Sequence, residues 1–171
     1  SAVFAPVTDL GIVTENDSAR WLVGLAKQKN ADVLTALAMN RGAVARDPLS
    51  GIPRNDTRGE TRQQAVFWLA QVRGQEGADI TSSVMFNDKD PEVREHAAFA
   101  LSQSETPRAE ADLTRLLNTD KNDEVREGAV FALSQLPDER ATRALIAAAE
   151  NRSLARELRK KAVFWLSHSQ L

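Results

Sequence analysis

Glu92-Val-Arg-Glu-His-Ala-Ala-Phe-Ala-Leu-Ser-Gln103 is the stretch that decides the fold, because the chain contains four versions of it. The other versions begin at Glu60, Glu124 and Glu157, so successive copies start 32, 32 and 33 residues apart. A constant spacing of this size is the signature of stacked structural repeats. We therefore expect a repeat protein, in which each copy is one element of a repeating unit.

Each copy has the apolar spacing of an amphipathic helix. At about 100° per residue, four residues of the first quoted copy fall on one side and are expected to face the core. They are Val93, Ala97, Ala100 and Leu101, with counterparts Val125, Ala129, Ala132 and Leu133, then Leu158, Ala162, Trp165 and Leu166. Trp68 and Trp165 replace the small residues Ala100 and Ala132, and we interpret them as bulky plugs for the end repeats.

A second, shorter helix is predicted before each copy, because apolar positions recur there with the same period. One such column consists of Gly77, Ala109 and Ala141. Asp90 and Asn122 stand where helix caps are expected. Each repeat is thus predicted to be a helix, a turn and a second helix, and such pairs must stack to bury their apolar faces.

The first part of the chain lacks this regularity. Residues 1–57 are predicted to contain an irregular segment, two short capping helices and a long loop from Arg41 to Thr57, interpreted as an insertion. Residues 58–171 are predicted to hold the repeats, with the whole chain forming a single solenoid domain. Gly74 and Gly77 are expected to separate helices.

The pattern Val-Arg-x-x-Ala-x-x-Ala-Leu, at residues 93–101 and 125–133, resembles the second helix of HEAT repeats. The Ala-Val-Phe-Trp-Leu variants at 65–69 and 162–166 further resemble bacterial HEAT-repeat proteins, many of which are exported. The resemblance implies an all-α, right-handed solenoid of about four helix pairs with a binding role. It also favours a periplasmic or otherwise exported location.

One aromatic column does not fit the predicted core. Phe99 lies roughly 145° from the centre of the core face, yet all four copies carry Phe at this position. The candidate partner-binding residues are this column and its polar neighbours: Phe67, Phe99, Phe131, Phe164, Gln71, Gln103, Gln135, Glu95 and Glu127. In one interpretation the rings line a concave groove, acidic in its middle and basic near Lys160 and Lys161. In the other, they stack between helices as an edge of the core.

An arginine column also recurs, at Arg62, Arg94, Arg126 and Arg159. We favour an internal ladder in which each arginine pairs with a carboxylate near the turn. The expected partners are Asp90 for Arg94 and Asp123 for Arg126. The alternative is a row of guanidinium groups that bind carboxylates or phosphates of a partner.

Composition narrows the function. With 22 basic and 24 acidic residues, the chain has no basic field for nucleic acid, and no apolar run is long enough to span a membrane. There is no cysteine, and the two histidines, His96 and His168, lie in different columns, so no metal, cofactor or catalytic group is predicted. The prediction is a non-enzymatic module that binds a protein or peptide. The alternatives are a subunit of a HEAT-like enzyme, such as a bilin lyase-like component, and a spacer within a longer polypeptide.

Overall fold

The computed structural model of the chain describes residues 59–72 and 74–168. Within these ranges the chain forms seven α-helices and no strand. The helices are α1 (Gly59–Val72), α2 (Gly74–Asn87), α3 (Pro91–Ser102), α4 (Ala109–Thr119), α5 (Asp123–Ser134), α6 (Asp138–Glu150) and α7 (Arg156–His168). The irregular segment, capping helices and loop predicted for residues 1–57 lie outside the described residues.

The predicted caps of α3 and α5 are confirmed. The Asp90 carboxylate accepts a hydrogen bond from the backbone amide of Glu92 at 3.1 Å. Pro91 follows in the first turn of α3, where its missing N–H group leaves no hydrogen bond unmade. Asn122 caps α5 by accepting from the amide of Val125 at 3.1 Å. These two side chains define where α3 and α5 begin.

The two glycines near the start of α2 do different things. Gly74 opens the helix with a φ angle of 54°, a left-handed conformation that glycine adopts without strain. Gly77, which was expected to separate helices, instead lies buried inside α2. It shares its column with the buried residues Ala109 and Ala141, so the position requires a small side chain in all three pairs.

The helices are arranged in two layers. Three pairs follow one another, namely α2 with α3, α4 with α5 and α6 with α7, and α1 packs against α2 and α3 at the start. The second helices α1, α3, α5 and α7 form one layer, while α2, α4 and α6 form the other. The layer of second helices is the more closely packed of the two. Stacked helix pairs of this kind form an α-solenoid, as the sequence predicted.

The core lies between the two layers and contains the residues that the helical spacing selected. All eight predicted core residues of α3 and α5 are fully buried, and so are Leu158 and Ala162 of α7. Leu113, Leu117 and Leu145 cover them from the other layer. Trp165 and Leu166 are half-buried and pack against this core. The prediction of the inward face is therefore confirmed.

A further buried column was missed. Val66, Ala98 and Val130 are completely buried, although they lie one residue beyond the predicted inward face. Their counterpart in α7, Val163, is 55% exposed. The column is thus covered wherever another described pair follows, and it is open on α7, the last described helix. It belongs to the contact between successive second helices, which the periodicity of a single helix does not reveal.

Candidate protein-binding surface

The phenylalanine column lies on the layer of second helices, and its rings contact one another across neighbouring repeats. Phe99 of α3 and Phe131 of α5 are stacked, with centroids 6.0 Å apart and planes 9° from parallel. Phe131 also packs against Trp165 of α7 at 5.1 Å, and Trp165 meets the edge of Phe164 at 5.2 Å. We call Phe99, Phe131, Phe164 and Trp165 the aromatic strip.

Phe67 belongs to the same sequence column but has a different setting. Its ring meets Trp68 edge-on at 5.4 Å and lies 6.3 Å from the imidazole of His96. Burial of His96 lowers the pKa of its imidazole. The ring of Phe67 also packs against the core. The structure therefore links three of the four predicted phenylalanines into one strip, and Trp165, predicted only as a plug, is the ring that joins the last two.

Burial of the strip lies between the two interpretations of the sequence. Phe67, Phe99 and Phe131 are half-buried, whereas Phe164 is 51% exposed. The helical spacing placed Phe99 far from the centre of the core face, but its ring stacks on Phe131 of the next repeat, which covers one side of it. The rings are thus fixed against their neighbours while their remaining surface faces solvent, an arrangement suited to aromatic anchors.

A column of serines supports the strip from below. The hydroxyls of Ser102, Ser134 and Ser167 donate to the carbonyl oxygens of Phe99, Phe131 and Phe164 at 2.6–2.7 Å. Ser102 is itself buried. These bonds lie near the end of each helix, where carbonyl groups begin to lack partners within the helix.

The predicted glutamines border the strip. Gln71, Gln103 and Gln135 are exposed. The side-chain amides of Gln103 and Gln135 donate to the hydroxyls of Ser102 and Ser134 at 3.4 and 3.1 Å. A carboxamide can form up to four hydrogen bonds, so each side chain retains capacity to bind a partner. Amide groups of this kind suit the backbone of a bound peptide.

The other side of the strip is acidic in its middle. Glu95 is exposed and lies over Gly128 of α5, where an added Cβ would meet its Cγ at 2.5 Å. Burial raises the pKa of Glu95, and the carboxylates of Glu124, Glu92 and Glu127 raise it further. Glu127 itself forms an ion pair with Lys161 of α7. The α7 end of the layer of second helices therefore carries positive charge, beginning at Lys161.

The arginine column forms a ladder, but with partners other than those expected for Arg94. Arg94 donates from Nε and Nη2 to both oxygens of Asp120, at 2.8 and 3.0 Å, instead of pairing with Asp90. Arg62 binds Asp88 in the same way, at 2.8 and 2.9 Å. In both cases the carboxylate lies 26 residues later, in the turn of the following pair. The prediction considered a carboxylate close to Arg94 in the sequence, Asp90, and therefore missed this contact between repeats.

Later steps of the ladder differ. Arg126 donates to the carbonyl oxygen of Leu117 at 3.0 Å and lies 3.2 Å from Asp123, the partner that the sequence predicted. In α7, the Nε of Arg159 is buried without a hydrogen-bond partner among the described residues. Among the described residues, the ladder therefore connects successive pairs through Arg62 and Arg94, whereas the contacts of Arg126 stay within its own pair.

The described residues contain no group of three acidic or histidine side chains that could hold a metal ion. In this same part of the chain, no helix combines the length and apolarity needed to cross a membrane.

Two stacked layers of paired helices, joined by a repeating arginine–carboxylate contact, define the class of α-helical repeat proteins. The family model for HEAT repeats matches the chain twice, over residues 47–134 and 79–167. The chain therefore belongs to the HEAT-repeat family, as the Val-Arg-x-x-Ala-x-x-Ala-Leu pattern predicted. A comparison with curated proteins finds no match. HEAT repeats generally act as scaffolds for protein interactions.

Proposed function

We infer that this protein is a non-enzymatic binding module that holds an extended peptide or a protein segment along the layer of α1, α3, α5 and α7. The single observation that carries the proposal is the aromatic strip. Its rings run continuously from Phe99 through Phe131 and Trp165 to Phe164. A contiguous apolar strip between polar borders is typical of interaction sites.

The packing of the two layers supports the location. Because the second helices pack more closely than the first helices, the stack is expected to curve toward them. The strip then lies on the concave side, where a bound segment contacts several repeats at once. Binding to several repeats adds small contributions from each, so no single pocket is required.

The strip is also suited to binding because its rings are already ordered. Phe131 is held between Phe99 and Trp165, so little side-chain entropy is lost when a partner covers it. Aromatic anchors of this kind contribute a large share of the binding energy in many interfaces. The exposed glutamines can bind the partner's backbone, and Glu95 favours a partner without negative charge in the middle of the surface.

The alternative function, a subunit of a HEAT-like enzyme that holds a chromophore or its acceptor protein, finds no specific support among the described residues. The aromatic strip lies open on a helical layer. We therefore keep the protein-binding function as the conclusion.

Phe131→Ala tests the proposal, with peptides selected from a random phage-displayed library on the immobilised chain as the probe. Loss of a central aromatic anchor contributes about 2 kcal/mol or more, so affinity should fall about thirtyfold. Binding is measured by titration, and circular dichroism shows which variants stay folded. Phe86→Ala, on α2 in the other layer, removes another half-buried phenylalanine and should leave affinity unchanged.

The proposal fails if the selected peptides bind folded Phe131→Ala as tightly as the unaltered chain. It also fails if Phe86→Ala weakens their binding more than Phe131→Ala does. The double variant Phe99→Ala/Phe131→Ala should bind the peptides more weakly than Phe131→Ala alone, while its helical content stays the same. Together these variants locate the binding surface within one layer of the stack.

A further inference from the structure

The outer side of the α6–α7 pair carries residues whose counterparts in earlier pairs are covered. Val163 is 55% exposed, whereas Val66, Ala98 and Val130 in the same column are completely buried. Ile146 of α6 is 42% exposed, whereas Ser82 at the matching position of α2 is buried and donates to Asp112 of α4 at 2.8 Å. We call Ile146, Arg156, Arg159, Lys160 and Val163 the end face.

Within the stack, the equivalent faces of α1 and α3 each bind a carboxylate from the pair that follows. Asp88 holds Arg62 with two hydrogen bonds, and Asp120 holds Arg94 in the same way. Each carboxylate also accepts a hydrogen bond from the backbone amide two residues later. Asp88 accepts from the amide of Asp90 at 2.9 Å, and Asp120 accepts from the amide of Asn122 at 2.8 Å. The contact therefore has a fixed geometry that repeats along the chain.

Arg159 stands at the same position in α7, and its Nε is buried without a hydrogen-bond partner among the described residues. The arginine Nε is a strong donor, and leaving such a group buried and unbonded is unfavourable. In Arg62 and Arg94 this same atom donates to the aspartate of the following pair at 2.8 Å, and in Arg126 it donates to the carbonyl oxygen of Leu117 at 3.0 Å. The end face thus presents an unbonded donor at the position where Arg62 and Arg94 each bind the aspartate of the following pair.

The charge around this donor is positive. Arg156, Arg159 and Lys160 line a shallow depression together with Val163. Glu157 pairs with Lys160 at 2.9 Å, but both side chains are exposed, so the pair is weak and screened by solvent. A ligand that fits the end face must therefore bring both negative charge for Arg159 and apolar surface for Val163.

We propose that the end face binds an acidic helical hairpin of another protein, a pair of helices with an aspartate in the turn between them. The aspartate pairs with Arg159, and the apolar side of the hairpin covers Val163 and Ile146. This surface is separate from the aromatic strip, since it faces along the axis of the stack. A small anion would satisfy Arg159 but leave the apolar residues uncovered.

A second copy of this chain is a poorer occupant. Among the described residues, the turn aspartates that have the required geometry are Asp88 and Asp120, and both already bind arginines inside the stack. In the α6–α7 pair the corresponding turn residue is Asn151, which accepts from the amide of Ser153 at 3.0 Å but carries no charge. The charge and shape of the end face point to a different, acidic partner.

The chain itself supplies a probe for the test. Residues 104–135, which contain α4 and α5, form the hairpin that covers the equivalent face of α3. Joining a second copy of these residues directly after His168, the counterpart of Gln103, presents that hairpin to the end face at high effective concentration. Hydrogen exchange of the α7 amides should slow by at least about tenfold when the face is covered.

Two single substitutions and their combination identify the contact. The first changes Asp120 to Asn in the appended hairpin only, and the second is Arg159→Gln in the host. Each should remove part of the added protection, and the double variant should lose no more than either single one, because both act through one pair. Unchanged exchange in the fusion protein, or full protection in both single variants, would overturn the proposal.

Sedimentation of the unmodified chain tests the choice of occupant. A monomer across the micromolar range supports a separate partner protein. A concentration-dependent dimer that disappears in Val163→Asp would overturn that choice, because it would show that a second copy covers the end face.

Discussion

Helices α5 and α7 carry nearly the same sequence pattern, yet they differ in how much of it is buried. Leu133 of α5 is fully buried while its counterpart Leu166 in α7 is half-buried. Val130 is buried while Val163 is more than half exposed. The pattern itself makes each segment a helix with one inward side, but the position of the helix in the stack decides the rest. The contribution of a repeated residue to stability should therefore depend on its neighbours.

The largest difference is expected for the inward leucines. Leu133→Ala should lower the free energy of unfolding by about 2–5 kcal/mol, since it removes buried surface and leaves a cavity. Leu166→Ala is the matched control and should have a clearly smaller effect, because its site can be filled by solvent. Urea denaturation at equilibrium measures both. Equal losses would mean that α7 is as well covered as α5.

The second prediction concerns the contact between repeats. Asp120→Asn replaces the carboxylate that accepts two hydrogen bonds from Arg94. It should lower the free energy of unfolding by about 1–3 kcal/mol. Asp123→Asn is the control, because its side chain is 82% exposed and its contact with Arg126 is weak. A loss for Asp123→Asn that matches the loss for Asp120→Asn would contradict the ladder between pairs.

The Asp120 contact should also depend on pH. Burial raises the pKa of Asp120, but hydrogen bonds from Arg94 and from the backbone amide of Asn122 outweigh it, so the pKa lies below its ordinary value. The stabilisation is therefore complete above the pKa of an unfolded aspartate, about 3.9. It is lost as pH falls through the lower pKa of the folded state. The difference between the native chain and Asp120→Asn should accordingly shrink under acid conditions.

The third prediction compares the valines that face the next pair. Val130→Ala removes two buried carbon atoms and should lower the free energy of unfolding by about 1–2 kcal/mol. Val163→Ala, at the exposed position in α7, should change it by less than about 0.5 kcal/mol. Thermal unfolding of the two variants side by side is sufficient. A large loss for Val163→Ala would show that something already covers the end face.

Sequence reasoning succeeded for everything that one helix determines by itself. The period, the caps at Asp90 and Asn122, and the inward residues such as Val93 and Leu101 follow from local spacing and local hydrogen bonds. It failed for two contacts between repeats, the burial of Ala98 and the pairing of Arg94 with Asp120, and it left the stacking of Phe99 as one of two interpretations. The pairing of Arg94 and the stacking of Phe99 depend on neighbours 26 and 32 residues away.

Those missed contacts share a signal that the sequence does contain. Asp88 and Asp120 recur with the same 32-residue spacing as the arginines that they bind, and in the last pair the residue that ends the first helix is Asn151, 31 residues after Asp120. Comparing columns across repeats, as well as positions within a helix, would have suggested the ladder. The partial burial of the phenylalanines carries no such signal, because a ring between two helices presents the same sequence pattern whether it is covered or open.

The smallest expected effect concerns the acidic side of the strip, where α5 has Gly128 and α7 has Lys161. Because burial and three neighbouring carboxylates raise the pKa of Glu95, its charge is less favourable in the folded chain than in the unfolded one. Glu95→Gln should therefore raise the free energy of unfolding at neutral pH, by no more than about 0.5 kcal/mol. The carboxyl group is fully tolerated below the pKa of an unfolded glutamate, about 4.3, and becomes unfavourable as pH rises through the raised folded value. The gain should consequently vanish in acid.

Glu127→Gln is the control, since it removes the ion pair with Lys161 and should give no gain. A gain for both variants would mean that general repulsion, and not the local setting of Glu95 over Gly128, governs this side of the layer.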